Sequence, residues 1–244
     1  MSASPRPGLH ALLVADGDVP PRSALDAAWP AWDAGVGLVV AADGGAVRAR
    51  GLGLEPDVVV GDWDSLPGAE LERLRPRGAE LIELRPDKDE SDTELALLAA
   101  VGRGATRVTV LGAFGGRRLD HAIANITLLA HPAVAGCEVV LLDGSARASL
   151  VQAPDAAGRP VTRRLPGRVG DLVSLLPLGG DAHGVTTRGL RFPLRHEPLR
   201  LGPARGLSNI REAETAEVDV EAGLVLVVEH PRWVAEPTAA ILPA

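Results

Sequence analysis

The stretch "GLVVAADGGAVRARGLGLEPDVVVGDWDS" (37–65) decides the fold class of this chain. It contains two short apolar runs, at 37–43 and 57–62, which consist mainly of Val, Leu and Ala with little polar alternation. Runs of this kind are typical of strands that are buried on both faces of a parallel sheet. A helical pattern at 44–51 lies between them, so the stretch predicts a β–α–β unit with a right-handed crossover.

The same alternation continues outward from this unit in both directions. Other apolar runs and helical patterns predict strands at 9–15, 79–84, 107–112 and 137–143, and helices near 23–34, 67–75, 91–103 and 118–130. The repeated order predicts an α/β fold in which a doubly wound, mostly parallel sheet carries helices on both faces.

Beyond about residue 143 the pattern changes. Short runs such as "DLVSLLPL" (171–178) are separated by Gly and Pro, and no long helical pattern follows. This is typical of a small antiparallel sandwich or barrel. The segment "DVEAGLVLVVE" (219–229) predicts a hairpin that turns at 221–223. We therefore predict an α/β domain at 1–145 and an all-β sandwich at 146–244.

Composition and charge narrow the classes of function. The chain has 46% apolar and 23% charged residues, an ordinary soluble balance, and the start "MSASPRPGLHALLVADG" (1–17) predicts a core strand rather than a signal peptide. No apolar run of 18 residues occurs, which argues against a membrane span. The single cysteine, Cys137, excludes an internal disulfide. We expect a cytoplasmic protein.

The net charge of −7 is unevenly distributed along the chain. Residues 1–143 include 21 acidic and 13 basic residues, and the remainder is nearly neutral. Nucleic-acid surfaces need clustered Lys and Arg, so a nucleic-acid partner is not expected. An acidic N-terminal half is instead suited to holding cations.

Acidic residues and glycines follow four of the predicted strands. In open α/β sheets ligands bind beyond the carboxyl ends of the strands, so these residues are expected at one rim. They are Asp43, Gly44 and Gly45 after the second strand, Asp62, Asp64 and Ser65 after the third, "DKDESD" (87–92) after the fourth, and Gly115, Gly116, Arg117, Asp120 and His121 after the fifth.

Asp62 and Asp64 lie two positions apart, so in an extended segment their side chains would project to the same side. Two adjacent carboxylates repel each other unless a cation lies between them or one is protonated. Mg²⁺ satisfies this need, since it binds one or two carboxylates together with waters and substrate phosphates. The alternative is a turn in which Asp64, with Ser65, caps the next helix.

The segment "DKDESD" surrounds Lys88, which is the only lysine in the chain, with acidic residues. Ser91 or Asp92 could cap the following helix, and acids in its first turn would complement the helix dipole. Capping does not account for Asp89 or for the lysine. A polyphosphate bound through Mg²⁺ accounts for both signs of charge, with carboxylates on the metal and Lys88 on a phosphate oxygen.

The segment "GGRRLDHAIAN" (115–125) offers a second set of phosphate contacts. Arg117 could bind phosphate through two hydrogen bonds, and His121 and Asn125 share one helix face. The alternatives are an N-cap role for Asp120 and a half-buried polar role for His121. The sequence lacks the GxxxxGK[ST] pattern of a P-loop, so the phosphates would be held in another way.

Five ordered motifs, "ADGGA" (42–46), "VVVGDWDSL" (58–66), "DKDESDTELAL" (87–97), "GGRRLDHAIANITLL" (115–129) and "GLSN" (206–209), resemble those of the thiamine pyrophosphokinase (thiamine diphosphokinase) family. The resemblance implies an N-terminal α/β domain that binds ATP and Mg²⁺ and a C-terminal β-sandwich that binds thiamine. It also implies transfer of a diphosphoryl group from ATP to the hydroxyethyl oxygen of thiamine, with release of AMP.

The resemblance implies roles for individual residues as well. The acids that handle metal and phosphate would be Asp62, Asp64, Asp92 and Asp120. ATP would be bound by Asp43, Gly44, Gly45, Lys88, Asp89, Ser91, Arg117, His121 and Asn125. Thiamine would be bound by Ser208, Asn209 and Trp233, a terminal aromatic that in the family usually stacks across a homodimer.

Three other functions remain open on the sequence. "ADGD" (15–18) resembles the start of haloacid-dehalogenase phosphatases, with Asp16 as the nucleophile, but Lys88 lies in a different setting from the lysine that such enzymes need. A pyrophosphokinase could act on another alcohol, such as a hydroxymethyl pterin. A non-catalytic sensor could bind nucleotide or thiamine without turnover.

Overall fold

A computed structural model of the chain describes residues 8–85, 87–116 and 118–232. The chain divides into two compact units between Asp143 and Gly144. Within the described ranges, no helix combines the length and the apolar character that a membrane crossing would require.

The N-terminal unit is built on a parallel sheet. Its strands are β1 (Leu9–Val14), β2 (Val36–Ala42), β3 (Val58–Gly61), β4 (Glu80–Glu83), β5 (Ala105–Leu111) and β6 (Glu138–Leu142). They lie in the order β4-β3-β2-β1-β5-β6, and each neighbouring pair is parallel. Each strand overlaps the segment that the apolar runs predict, which confirms the parallel α/β fold.

Helices cover both faces of this sheet. They are α1 (Arg22–Ala28), α2 (Gly45–Gly51), α3 (Gly68–Leu74), α4 (Asp92–Gly102) and α5 (Leu119–Thr127). Leu12 and Val14 of β1 pack in one apolar cluster with residues of α1 and α2. The crossovers from β1 to β2, β3 and β4 all move toward one edge of the sheet. The crossover through α4 moves back in the other direction, from β4 past β1 to β5. Because crossovers are right-handed, α4 lies on the other face of the sheet. The fold is therefore doubly wound.

Helix α1 is shorter than the sequence predicts. It ends at Ala28, and Trp29 takes non-helical dihedrals of φ −133° and ψ 78°. The cause is Pro30, because a proline ring disfavours the helical conformation of the residue before it and Pro itself has no N–H to donate. The prediction of a helix through residue 34 is therefore wrong.

The C-terminal unit is antiparallel. Its strands are β7 (Arg147–Ala153), β8 (Val161–Pro166), β9 (Leu172–Arg188), β10 (Glu197–Leu199), β11 (Asn209–Ile210), β12 (Thr215–Val220) and β13 (Ala222–His230). Buried residues of most of these strands form one apolar cluster, which includes Leu165, Val173 and Val218. An all-β unit was predicted for this part of the chain, and the antiparallel pairing agrees with it.

Strand β9 belongs to two layers. Its first part, Leu172 to Leu178, pairs with β13, and its last part, Thr186 to Arg188, pairs with β12. The register shifts between these parts, where Gly179 has a φ of +74°. The predicted hairpin of β12 with β13 is wrong, since β12 pairs with β8 and β9 whereas β13 pairs with β7 and β9.

Candidate active site

The carboxyl ends of the parallel strands surround a cleft of about 740 Å³ in the N-terminal unit. Strands β1 and β5 are neighbours, but the chain continues from β1 toward β2 and from β5 toward β6, on opposite sides. Ligands of open α/β sheets bind at such a switch point. The cleft is lined by the loops after five strands, with Asp16 and Gly17, Asp43, Asp62, Asp64 and Ser65, residues 88–93, and Gly112, Gly116, Arg118, His121 and Asn125 among the contributors.

Asp43 is the buried acid of the cleft. It follows β2 with a positive φ of 46°, and its side chain turns toward the loop after β3, where Oδ2 accepts a hydrogen bond from the Ser65 backbone nitrogen at 3.0 Å. Its other oxygen, Oδ1, is buried and has no hydrogen-bond partner in the described chain. Burial, followed by the neighbouring Asp64 carboxylate, raises the pKa of Asp43 to about 6.

Asp62 and Asp64 do not project to the same side of an extended segment. Trp63, between them, has a left-handed φ of 68°, so the chain turns. Oδ1 of Asp62 accepts a hydrogen bond from the Asp64 nitrogen at 3.2 Å, and Oδ1 of Asp64 accepts one from the Ser65 hydroxyl at 2.8 Å. The Ser65 bond is the main cause of the lowered pKa of Asp64. The reasoning from extended geometry is therefore wrong, although both acids line the cleft.

The loop after β4 delivers Lys88 and Asp92. Ser91 is the N-cap of α4, and its hydroxyl accepts a hydrogen bond from the Glu94 nitrogen at 3.1 Å. This cap fixes Asp92 as the first residue of the helix, facing the cleft. The ammonium of Lys88 lies 2.7 Å from Oδ1 of Asp92 and 3.9 Å from Oδ2 of Asp62. One lysine thus links the acids of two different loops.

Three carboxylates converge at this point. Asp43, Asp62 and Asp92 each offer an oxygen, and these oxygens lie within 4.8 Å of one another. Oxygens that share one Mg²⁺ lie roughly 3 to 4 Å apart, because each Mg–O distance is about 2.1 Å. The unpartnered buried oxygen of Asp43 and the all-oxygen donor set also fit a hard divalent cation. We call these three residues the carboxylate cluster.

The structure does not bring Asp120 to the carboxylate cluster. Its side chain is 63% exposed and forms an ion pair with Arg118, which lowers the pKa of Asp120. Asp120 is absent from the cleft lining in the described ranges, whereas Arg118 and His121 take part in it. Arg117, which the sequence offers as a phosphate contact, lies outside the described residues. The N-cap alternative for Asp120 is not supported, because the helix begins at Leu119.

The loop after β5 is shaped by two glycines and by a buried amide. Gly115 and Gly116 have positive φ values of 78° and 77°, which only glycine adopts readily. Asn125 is buried and donates from Nδ2 to the Ala113 carbonyl at 2.9 Å, so α5 is fixed against the start of this loop. The predicted site residue Asn125 therefore lines the cleft while it also supports the loop.

Gly44 and Gly45 have a packing role. A Cβ at Gly45 would lie 2.0 Å from the Val14 carbonyl oxygen, and one at Gly44 would lie 2.3 Å from Oδ1 of Asp16. Both glycines allow α2 to begin directly against the end of β1. Neither is among the lining residues of the cleft within the described chain, so the structure places them behind Asp43 rather than on the cleft surface.

Two acids at the switch point, Asp16 and Asp18, are missing from the sequence-based set of metal and nucleotide residues. Asp16, which the sequence suggests only as a phosphatase nucleophile, lines the cleft, and Arg48 donates to its carbonyl at 3.0 Å. Asp18 accepts a hydrogen bond from the Gly116 nitrogen at 2.8 Å. The signal was available, because "ADGD" directly follows β1 in the same way that "ADGG" follows β2. Burial raises the pKa of Asp16.

In the C-terminal unit the predicted thiamine residues lie on β11 and just before it. Ser208 is exposed with a φ of 55°, and its backbone nitrogen donates to the Ser174 hydroxyl at 3.1 Å. Asn209 is buried, with Nδ2 donating to the Phe192 carbonyl at 2.8 Å and Oδ1 accepting from the Phe192 nitrogen at 3.0 Å. Asn209 therefore holds the Phe192 backbone. Trp233 lies outside the described residues.

Family comparisons match both units. A model described as "Thiamin pyrophosphokinase, catalytic domain" matches residues 32–141, and one described as "Thiamin pyrophosphokinase, vitamin B1 binding domain" matches residues 162–225. The chain belongs to the thiamine pyrophosphokinase family. The catalytic-domain match includes the whole carboxylate cluster and begins after Asp16 and Asp18.

Individual relatives within this family are distant. The chain is 28% identical over 197 residues to thiamine pyrophosphokinase 1 of Oryza sativa subsp. japonica, which covers 78% of this chain and 71% of that protein. It is 27% identical over 172 residues to thiamine pyrophosphokinase of Bacillus subtilis, covering 70% and 77%. The crystal structure of thiamine pyrophosphokinase from Bacillus subtilis superposes with a TM-score of 0.76 at 22% identity, over 91% of this chain and 99% of that one.

Proposed function

We propose that this protein is an ATP-dependent thiamine diphosphokinase, which transfers a diphosphoryl group from Mg·ATP to the hydroxyethyl oxygen of thiamine. The products are thiamine diphosphate and AMP. The observation that carries the proposal is the carboxylate cluster with Lys88 beside it, inside the segment that matches the catalytic-domain model. The match of residues 162–225 to the vitamin B1 binding domain supports thiamine as the acceptor.

The reaction makes one bond and breaks one. The thiamine hydroxyl oxygen bonds to the β-phosphorus of ATP while the bond from that phosphorus to the α–β bridging oxygen breaks. AMP leaves with the bridging oxygen, and the hydroxyl proton is released. Little covalent chemistry is required of the protein, so catalysis depends on positioning and on stabilisation of phosphate charge.

Asp43, Asp62 and Asp92 would hold the magnesium ion. A magnesium ion held there would neutralise phosphate charge and make the β-phosphorus a better electrophile. The acidic cleft would otherwise repel a triphosphate, so the cluster makes nucleotide binding dependent on the cation. Asp64, which lines the cleft beside the cluster, is proposed to act through the turn that it forms with Ser65.

Basic groups at the cleft would contact the phosphates directly. Lys88 is only 15% exposed, and its ammonium lies at the cluster, where it can stabilise charge on the transferred group. Arg118 and His121 line the opposite loop and are proposed as contacts to the rest of the triphosphate, with Arg117 retained as a further candidate. Asp89 and Ser91 lie on the cluster side of the cleft.

The division of labour between units is also a proposal. We assign ATP and magnesium to the α/β unit and thiamine to the β unit, with Ser208, Asn209 and Trp233 as candidate thiamine contacts. A homodimer is proposed from the family resemblance, and a cytoplasmic location is proposed from the composition. Asn209 would act indirectly, because its side chain is already bonded to the Phe192 backbone.

The test is an assay of the purified full chain with ATP, MgCl₂ and thiamine, in which AMP and thiamine diphosphate are separated chromatographically. We expect equimolar formation of both products, dependent on thiamine. A hydroxymethyl pterin in place of thiamine distinguishes a related pyrophosphokinase. Phosphate release without any acceptor would instead indicate a phosphatase, and binding without products would indicate a sensor.

A further inference from the structure

Lys88 lies among the oxygens that form the carboxylate cluster. Its ammonium is 2.7 Å from Oδ1 of Asp92, which is a charge-assisted hydrogen bond, and 3.9 Å from Oδ2 of Asp62. The lysine side chain is only 15% exposed, so its surroundings limit the conformations that it can adopt. The third acid, Asp43, adds a buried oxygen without a partner in the described chain.

A divalent cation in the cluster would draw on two of the same carboxylates, Asp62 and Asp92. Mg²⁺ binds carboxylate oxygen at about 2.1 Å, and the three acids already lie within 4.8 Å of one another. With the ammonium also in place, three positive charges would lie within about 4 Å, and their repulsion is strong in a partly buried site. This repulsion sets the ammonium and the metal ion in competition for the carboxylates of Asp92 and Asp62.

We propose that Lys88 is a displaceable counter-ion: it competes with the divalent cation for Asp62 and Asp92, and metal binding releases it to the nucleotide. The lysine stem is long and flexible and carries a point charge, so it can leave Asp92 and reach a phosphate oxygen without movement of the backbone. The release step rests on the proposed function. The competition itself requires only the geometry of Lys88, Asp62 and Asp92.

This competition predicts opposite signs for two effects of one substitution. Lys88→Met keeps the length of the side chain and removes its charge. Without nucleotide, the variant should bind Mn²⁺ about tenfold more tightly or better than the unmodified protein, because no ammonium has to be displaced. With Mg·ATP and thiamine, it should turn over at least about tenfold more slowly, because the phosphate contact is lost.

Mn²⁺ binding to the nucleotide-free full chain can be measured by electron paramagnetic resonance. Lys88→Arg is the charge-preserving control and should not bind Mn²⁺ more tightly than the unmodified protein. Arg103→Met is the matched control for net charge, because Arg103 caps the far end of the same helix, where it pairs with Glu80. Its Mn²⁺ affinity should stay within about twofold of that of the unmodified protein, because salt screens the interaction between the metal ion and a distant charge.

A second measurement uses the fact that the chain has one lysine. Protein labelled with ¹⁵N-lysine gives a single side-chain ammonium signal, which reports Lys88 without assignment. Titration with Mg²⁺ alone should shift or broaden this signal until it saturates. The dissociation constant obtained from the signal should equal that of Mg²⁺ binding to the protein. This readout does not depend on activity or on any variant.

The inference is overturned if Lys88→Met binds Mn²⁺ no more tightly than the unmodified protein, or if saturating Mg²⁺ leaves the ammonium signal unchanged. It is also overturned if no protein in the series binds Mn²⁺ without nucleotide. None of these results touches the proposed function, which depends on formation of thiamine diphosphate by the unmodified protein. Conversely, failure of that assay would leave the competition at the carboxylate cluster intact.

Discussion

Oδ2 of Asp18 accepts a hydrogen bond from the backbone nitrogen of Gly116 at 2.8 Å, and this bond joins the loops that leave β1 and β5. A Cβ at Gly115 would lie 2.6 Å from the same oxygen, so the carboxylate is packed directly against the loop. The loop carries Arg118 toward the cleft. Asp18 therefore positions one wall of the proposed nucleotide site.

We expect Asp18→Ala to raise the KM for ATP roughly fivefold to tenfold, because the loop loses its anchor and with it the placement of its phosphate contacts. Asp18→Asn keeps an acceptor oxygen and should retain most of the affinity. Steady-state kinetics of both variants and of the unmodified protein measure the KM for ATP. Equal effects of the two substitutions would mean that the charge, rather than the hydrogen bond, is what matters.

Asp92→Asn should reduce turnover by at least about a hundredfold, because the amide cannot supply the charge that holds Mg²⁺ against the triphosphate. Formation of AMP is the measurement, and circular dichroism verifies that the fold persists. Asp120→Asn is the matched comparison, since Asp120 is exposed and pairs with Arg118 away from the cluster. A loss in Asp120→Asn as large as that in Asp92→Asn would contradict the three-residue cluster and favour Asp120 as a ligand.

Gly45→Ala should destabilise the protein by about 1 to 3 kcal/mol, because the new Cβ would lie 2.0 Å from a backbone oxygen of β1 that cannot move aside. Gly51→Ala is a suitable control at the other end of α2, where nothing lies within 4 Å of the added Cβ. It should be neutral or stabilising by up to about 1 kcal/mol. Urea denaturation of both variants measures the difference, and similar results for the two would refute the packing role.

His10 should make stability depend on pH. It is buried on β1, with Nε2 at 3.0 Å from Oγ1 of Thr109, and burial is the main reason that its pKa is lowered. As the pH falls, His10 therefore binds a proton near pH 6.5 in the unfolded chain but only at a lower pH in the folded chain. Stability is fully present above pH 6.5 and falls as the pH is lowered toward the folded pKa, by up to about 1.4 kcal/mol per pH unit.

Urea denaturation at pH 7.5 and pH 5.5 tests this for the unmodified protein and for His10→Gln. The difference in free energy of unfolding between the unmodified protein and His10→Gln should be smaller at pH 5.5. This difference reports His10, because the other titrating groups are common to both proteins. A difference that stays constant between the two pH values would show that His10 does not titrate as its burial requires.

The strands and helices of the α/β unit could be predicted from sequence because each is a local pattern. Continuous apolar runs marked β1 to β6, and Ser91 with the acids after it marked the start of α4. The end of α1 was missed although Pro30 announces it, since the apolar pattern continues to Trp32. The β unit was predicted in class only, because its strands pair with distant partners.

The candidate site was predictable in part for the same reason. Asp62, Lys88 and Asp92 follow strands whose carboxyl ends share one rim, so their positions after these strands predicted that they lie close together. The third member, Asp43, was expected there but not as a cluster oxygen, because its direction depends on a positive φ and on the pairing of β2 with β3. Asp16 and Asp18 follow β1 as Asp43 follows β2, but their approach to the loop after β5 depends on the pairing of β1 with β5, which no local pattern contains.

The long strand β9 has a consequence for how the C-terminal unit can change during evolution. The two layers pair with different parts of one continuous strand of seventeen residues, so a change in the length of β9 between these parts would alter the position of one layer relative to the other. Insertions are expected to be tolerated where no pairing with β9 is interrupted, as in the connection between β7 and β8. We therefore expect the loops of the C-terminal unit to vary more in length among relatives than β9 does.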